Sequence, residues 1–191
     1  MARNPAVIQR PAEIRLIASP VRQEIVDTLE ALGGSAPVAA IAAALGRPSD
    51  GLYYHLRILV KGGLLEELPD EGDGRRYRTR ARPSERMRLR YQPGRTPNAR
   101  AVTRVIGGML RSTRRDFEAA LADPEVVTEG PHRALRASRV KGWVSRADLA
   151  ELNRLQARAL ALLRRNRKPK GAQLMSLTWV LAPVEARPSR R

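Results

Sequence analysis

The chain has 191 residues, 42% of them hydrophobic, a formal net charge of +17 and no cysteine. That length holds one domain or two small ones with a buried core, and the lack of cysteine removes disulfides, thiolate metal sites and cysteine nucleophiles. No run of about 18 apolar residues occurs, and the opening MARNPAVIQRPAEIRL holds no uninterrupted apolar stretch, so nothing marks a membrane span or an export signal and the expected location is the cytoplasm.

Apolar residues Ile14, Ile17, Val21, Ile25, Leu29 and Leu32 recur at spacings of three and four, interrupted by Ser19-Pro20. Serine before proline reads as an N-cap and a first helical position, so one short helix ends before Ser19 and a second runs from Pro20 to about Leu32, where Gly33-Gly34 stops it. PVAAIAAALG predicts a third helix, with Val38, Ile41 and Leu45 on its apolar face and Gly46 as its stop. Ser49 is placed to cap the next, which ends at Gly62-Gly63. At 3.6 residues per turn Leu52, Leu56 and Leu59 share one face of that helix and Asp50, Tyr54, Arg57 and Lys61 the other. LLEEL and RRYRTR flank PDEGDG, whose residues favour turns, so 64–80 reads as a β-hairpin. Two short helices joined by a tight turn and followed by a hairpin make a winged helix-turn-helix.

Residues 81–99 hold three prolines, several arginines and no apolar period, which predicts a linker or extended arm. A long helix follows from Ala99 to Ala122, with Val102, Val105, Ile106, Met109, Thr113, Phe117 and Ala120 along one stripe. A strand is expected around Leu135 to Val144. Ser145 to Asp148 spells a capping box, and Leu149, Leu152, Gln156, Ala159 and Leu163 repeat along the helix behind it. Met175, Leu177, Trp179 and Leu181 alternate with Ser176 and Thr178, predicting a last strand. The expected class is α+β, mostly α. Its expected domains are a winged helix-turn-helix over 1–80, a basic linker over 81–99, and a helical region with short strands over 100–191.

A helix docked by its leucines leaves its other face free for the major groove of DNA. Arg57 and Lys61 are then candidates for phosphate or guanine, Tyr53 and Tyr54 for hydrogen bonding or thymine methyls, and Asp50 for a cytosine amino group or for orienting Arg57; Ser49 would turn the helix N-terminus to a phosphate. Tyr53, at the flank of the apolar face, is the better candidate for packing. His55, beside Leu52 and Leu59, reads as a buried, hydrogen-bonded histidine rather than a base reader or metal ligand. In the hairpin Arg75, Arg76 and Arg78 surround Tyr77 and suit phosphate or minor-groove contacts. Asp70, Glu71 and Asp73 would repel a backbone, which leaves the returning strand as the DNA-facing part.

LIASPVRQEIVDTL, AAIAAALGRPSDGLYYHLRILVKGGLL and the hairpin together resemble the ArsR-type winged-helix transcription regulators over residues 12–80. The resemblance implies a homodimer that binds operator DNA, commonly as a repressor released by an effector. By position it implies DNA contacts at Ser49, Asp50, Tyr53, Tyr54 and Arg57, with Arg75 and Arg76 in the wing. Tyr54 stands where metal-sensing members often carry a second histidine, and their cysteine pair has no counterpart, so metal sensing by that route is not expected.

Beyond the hairpin, the two long helices are expected to pair and to bury their remaining faces against a second subunit, the alternative being an intrachain hairpin of helices capped by the strands. Trp143 and Trp179, with Met109, Phe117 and Met175, are candidates for an effector pocket or for simple core filling. Residues 1–80 carry 11 Lys/Arg against 10 Asp/Glu, whereas 146–191 carry 11 against 3. That surplus suits a polyanion, although arginine outnumbers lysine 32 to 4 and a coding bias would produce the same excess. An alternative reading is therefore a basic adaptor that binds RNA or a ribonucleoprotein through its C-terminal half and uses the winged helix for protein contact. The two histidines, His55 and His132, lie far apart, and no phosphate-binding glycine loop or nucleophile elbow occurs. No enzymatic activity, cofactor or metal is expected. The expected partners are double-stranded DNA, a second copy of the chain and a small effector, with no membrane.

Overall fold

Two prolines mark where the chain first turns helical in the computed structural model, which describes residues 6–70, 72, 74–81, 85–163, 165 and 171–184. Pro11 opens α1 (Pro11–Leu16) and Pro20 opens α2 (Pro20–Ala31); at a first helical position proline forfeits no hydrogen bond and its φ is already helical. Ser19 occupies the N-cap of α2 with extended backbone, but its hydroxyl makes no capping bond. After α3 (Val38–Leu45) the chain turns through Gly46 at φ 59°, a left-handed conformation that glycine adopts without Cβ strain. Arg47 N then donates to Ala42 O at 3.0 Å, which closes the helix end. The turn delivers the chain to α4 (Asp50–Lys61).

The hairpin is formed by β3 (Leu65–Leu68) and β4 (Arg76–Thr79), with Leu65 opposite Thr79 and Glu66 opposite Arg78. A third strand, β2 (Ser35–Pro37), pairs with the other edge of β4, giving the antiparallel order β2-β4-β3. The sequence gives no warning of β2, because three residues are too few to show alternation. Two further short strands, β1 (Val7–Ile8) and β5 (Arg88–Leu89), pair in parallel. Residues 85–90 thus return along the N-terminal segment, and Met87 N donates to the Glu30 carboxylate at the end of α2 at 2.7 Å.

All these elements converge on one core. Ile14 of α1, Ile25 and Leu29 of α2, Ile41 of α3, Leu52, Leu56 and Leu59 of α4, and Leu64, Leu65 and Tyr77 of the hairpin are buried together. Full burial of each aliphatic side chain stabilises by about 1.5–3 kcal/mol. The long helix α5 (Pro97–Leu121) lies against α1 and α2. Thr96 caps it, accepting from Ala99 N at 3.0 Å, and Ala101, Val105 and Gly108 face inward. At Gly108 the helix comes close to the turn that leads into α2, where a Cβ would touch Ala18 O at 3.5 Å.

The last helix, α6 (Arg146–Leu163), starts at a reciprocal capping box: Ser145 N donates to Asp148 Oδ2 at 2.8 Å, and Asp148 N to Ser145 Oγ at 3.2 Å. None of its residues is buried. The class is α+β and mostly α, with six helices among the described residues. Two expected strands are absent: neither 135–144 nor 175–181 forms helix or strand. Alternating side chains make a strand only where a second backbone lies alongside, and neither segment has one among the described residues. Thr178 does meet Thr113 of α5 through their hydroxyls.

Candidate nucleic-acid interface

Helix α4 divides its residues as its period requires. Leu52, Leu56 and Leu59 are at most 1% exposed, while Tyr54 is 61% exposed and Asp50, Arg57 and Lys61 lie open beside it. Neither Arg57 nor Lys61 is held in an ion pair among the described residues, so both cations are available. Among the described residues no hydrogen bond or ion pair joins Asp50 to Arg57. Tyr53 is half-buried and packs against the core, as its flanking position suggests. The Arg75 guanidinium lies 5.8 Å from its ring centre, a cation–π contact that ties wing to helix.

Two expectations about this helix need correction. Ser49 precedes α4 but its backbone is already helical (φ −57°, ψ −38°), and its hydroxyl makes no capping bond; a side-chain cap needs the extended geometry that Ser49 lacks. His55 is only half-buried, and its Nδ1 is enclosed without a hydrogen-bond partner. Desolvation, followed by the neighbouring cations Arg22 and Arg47, lowers its pKa below the usual histidine value. The Tyr54 ring stands edge-on to it, 5.3 Å between centres.

The wing has a different electrostatic character from that suggested by its arginines. Arg78 Nη2 lies 2.6 Å from Glu66 Oε2 across the two strands, and Arg75 Nη1 lies 3.5 Å from Glu67 Oε1. Arg76, between them, is half-buried. The glutamates come from LLEEL, and the Glu66–Arg78 partnership is visible only once the hairpin register is known. Asp70, read from sequence as repelling DNA, builds the turn: its Oδ1 accepts from Gly72 N at 2.8 Å and Gly74 N at 3.1 Å. Glu71 and Asp73 lie outside the described residues.

Behind α4, Glu24 of α2 joins three elements. Its carboxylate takes Arg47 from the turn before α4 at 3.4 Å, and Ser112 and Arg115 from α5 at 2.8 Å each. Neither of the two roles considered for the tryptophans, pocket lining or core filling, fits their placement: Trp143 is 93% exposed and Trp179 38%, and the segments that carry them form no strand. Among the described residues no group of three or more His, Asp or Glu side chains is placed to hold a metal ion, and no helix is long and apolar enough to cross a membrane.

A family model described as a helix-turn-helix domain matches residues 17–67, the stretch from the end of α1 to β3. A domain of this kind points to a DNA-binding regulator. No curated protein matches the chain.

Proposed function

We propose that the chain is a homodimeric, sequence-specific DNA-binding transcriptional regulator of the ArsR type, acting as a repressor. The observation that carries this reading is the partition of α4: its leucines are sealed in the core while Asp50, Tyr54, Arg57 and Lys61 form an open, mixed polar and cationic face. A major groove admits one helix presenting such a face. In this reading Arg57 and Tyr54 address base edges, Lys61 and Ser49 the backbone, and Tyr53 supports the wing through Arg75. Arg76 approaches phosphates or the minor groove from β4, and Arg78 joins it only where DNA draws it from Glu66. The exposed apolar residues of α6, Leu149, Leu155, Leu162 and Leu163, support pairing with a second copy through the C-terminal region, and a symmetric dimer reads two half-sites.

The test is selection of bound fragments by the purified full chain at two salt concentrations, followed by footprinting and sedimentation. A two-fold symmetric protected site and a dimeric mass are expected. Affinity that does not depend on sequence at either salt concentration would refute the reading.

A further inference from the structure

The face of α4 brings only two free cations to DNA, and two of the wing arginines are held by Glu66 and Glu67. Residues 1–80 carry 11 basic against 10 acidic side chains. A duplex presents one negative charge about every 1.7 Å of its axis, so a body of this balance grips it weakly. The positive excess lies beyond residue 80, and one run of it is uninterrupted by acid. From Gly130 to Ala147 no acidic residue occurs, and Arg133, Arg136, Arg139 and Lys141 follow one another at short intervals. All four are exposed, and none is in an ion pair among the described residues. Elsewhere arginine is repeatedly consumed by carboxylates, as in Arg47–Glu24, Arg80–Glu13, Arg86–Glu30 and Arg114–Glu118.

The segment is also tethered at both ends. Ala134 N donates to Val127 O at 2.7 Å, closing the loop that precedes it, and the Ser145–Asp148 box begins α6. Between these points the backbone forms neither helix nor strand, and Trp143 stands 93% exposed. Residues 133–141 can stretch to roughly 28 Å, about eight base pairs of duplex at 3.4 Å each. Their side chains are long, flexible and free of secondary-structure constraint, which suits phosphates rather than base edges.

We propose that residues 133–141 form a second DNA contact, a basic arm that neutralises phosphates flanking the site read by α4. This rests on the regulator reading for its partner, but its test does not depend on sequence preference. The experiment is equilibrium binding of the full chain to duplex DNA by fluorescence anisotropy, from about 50 to 200 mM salt. It compares the wild type with Arg133→Ala/Arg136→Ala/Arg139→Ala/Lys141→Ala, on a selected duplex, a scrambled duplex and a structured RNA. Circular dichroism confirms that the variant is folded. The slope of log affinity against log salt should become shallower by about 3.6, roughly 0.9 for each phosphate released, on both duplexes. Preference for the selected duplex should persist, and the lysine variant Arg133→Lys/Arg136→Lys/Arg139→Lys should restore the slope.

An unchanged slope on both duplexes overturns the proposal. So does a loss confined to structured RNA, which would make the segment an RNA surface. If the wild type fails to distinguish the selected from the scrambled duplex, the regulator reading falls, while the slope comparison still decides the arm.

Discussion

Arg80 places Nη1 2.9 Å from Glu13 Oε1, and the two side chains are only 13% and 5% exposed. The same guanidinium donates to Gly63 O at 3.2 Å and Val7 O at 3.1 Å. One side chain therefore binds the end of the wing to α1, to the turn after α4 and to the N-terminal strand. Without Arg80, Glu13 keeps Arg10, 3.1 Å away on an exposed side chain, and the Gly63 and Val7 carbonyls lose a donor. Arg80→Ala should lower unfolding free energy by about 1–3 kcal/mol, read from urea denaturation. Arg80→Lys should recover only part of that, since a point cation cannot serve three acceptors in fork geometry.

Asn98 makes the equivalent junction where α5 begins. Its amide is 1% exposed, donates to Gln9 O at 2.9 Å and Arg90 O at 3.1 Å, and accepts from Gln92 N at 2.9 Å. Asn98→Ala orphans those backbone groups and should cost about 1–3 kcal/mol. Asn98→Asp is nearly isosteric yet should be worse, because a carboxylate would face two carbonyl oxygens. If Asp proves milder than Ala in thermal unfolding, the amide orientation is wrong.

The wing's cross-strand pairs make a counterintuitive prediction about DNA. Glu66 is half-exposed and holds Arg78 through both Nε at 3.2 Å and Nη2 at 2.6 Å. As a surface pair it contributes little stability, in the range of about 0–1 kcal/mol. Glu66→Gln should therefore leave the fold intact, tighten duplex binding and steepen the salt slope by about 0.9 as Arg78 becomes available to a phosphate. Arg57→Ala should act differently. It should cost about 1–3 kcal/mol and relax base preference at one position if the side chain reads a base, and weaken all sequences alike if it touches phosphate.

Adjacent glycines after α4 should fail for different reasons. A Cβ on Gly62 would overlap Leu16 Cδ1 and approach Ile58 O to 3.2 Å, whereas Gly63 has open space around it but a φ of +70°. Gly62→Ala should cost about 1–3 kcal/mol by overpacking, and Leu16→Ala in the same chain should recover part of that loss, giving a non-additive cycle. Gly63→Ala should cost about 1–2 kcal/mol through left-handed strain. That loss should not depend on Leu16, and Gly63→Asn should be milder.

How much was legible in the sequence follows from how local each signal is. The two faces of α4, the proline-led start of α2 and the Ser145–Asp148 box depend on neighbours within four residues, and each appears in the structure where its pattern lies. The strands β1, β2 and β5 escaped because two or three residues carry no period. The strands expected at 135–144 and 175–181 erred the other way, since alternation describes one chain and a strand requires two. The partner of Arg78 is invisible without register: Glu66 meets it only because Leu65 sits opposite Thr79.

His55 gives the fold a pH dependence of defined sign. Burial first, then Arg22 and Arg47, hold its pKa below the ordinary value, which is about 6.5 and applies to the unfolded chain. Between the lowered folded pKa and about 6.5 the unfolded state binds the proton more readily, so stability rises with pH across that window and is lost as pH falls through it. Above about 6.5 both states are neutral and this contribution is flat. Urea midpoints collected from about pH 7.5 to pH 5 should therefore drop more steeply for the wild type than for His55→Gln, which cannot titrate there. Parallel curves would mean that the imidazole takes its proton as easily folded as unfolded, through water reaching Nδ1. Because Arg47 lies in the turn before α4 and is held by Glu24, Glu24→Gln should steepen the drop further by leaving Arg47 unneutralised near the ring.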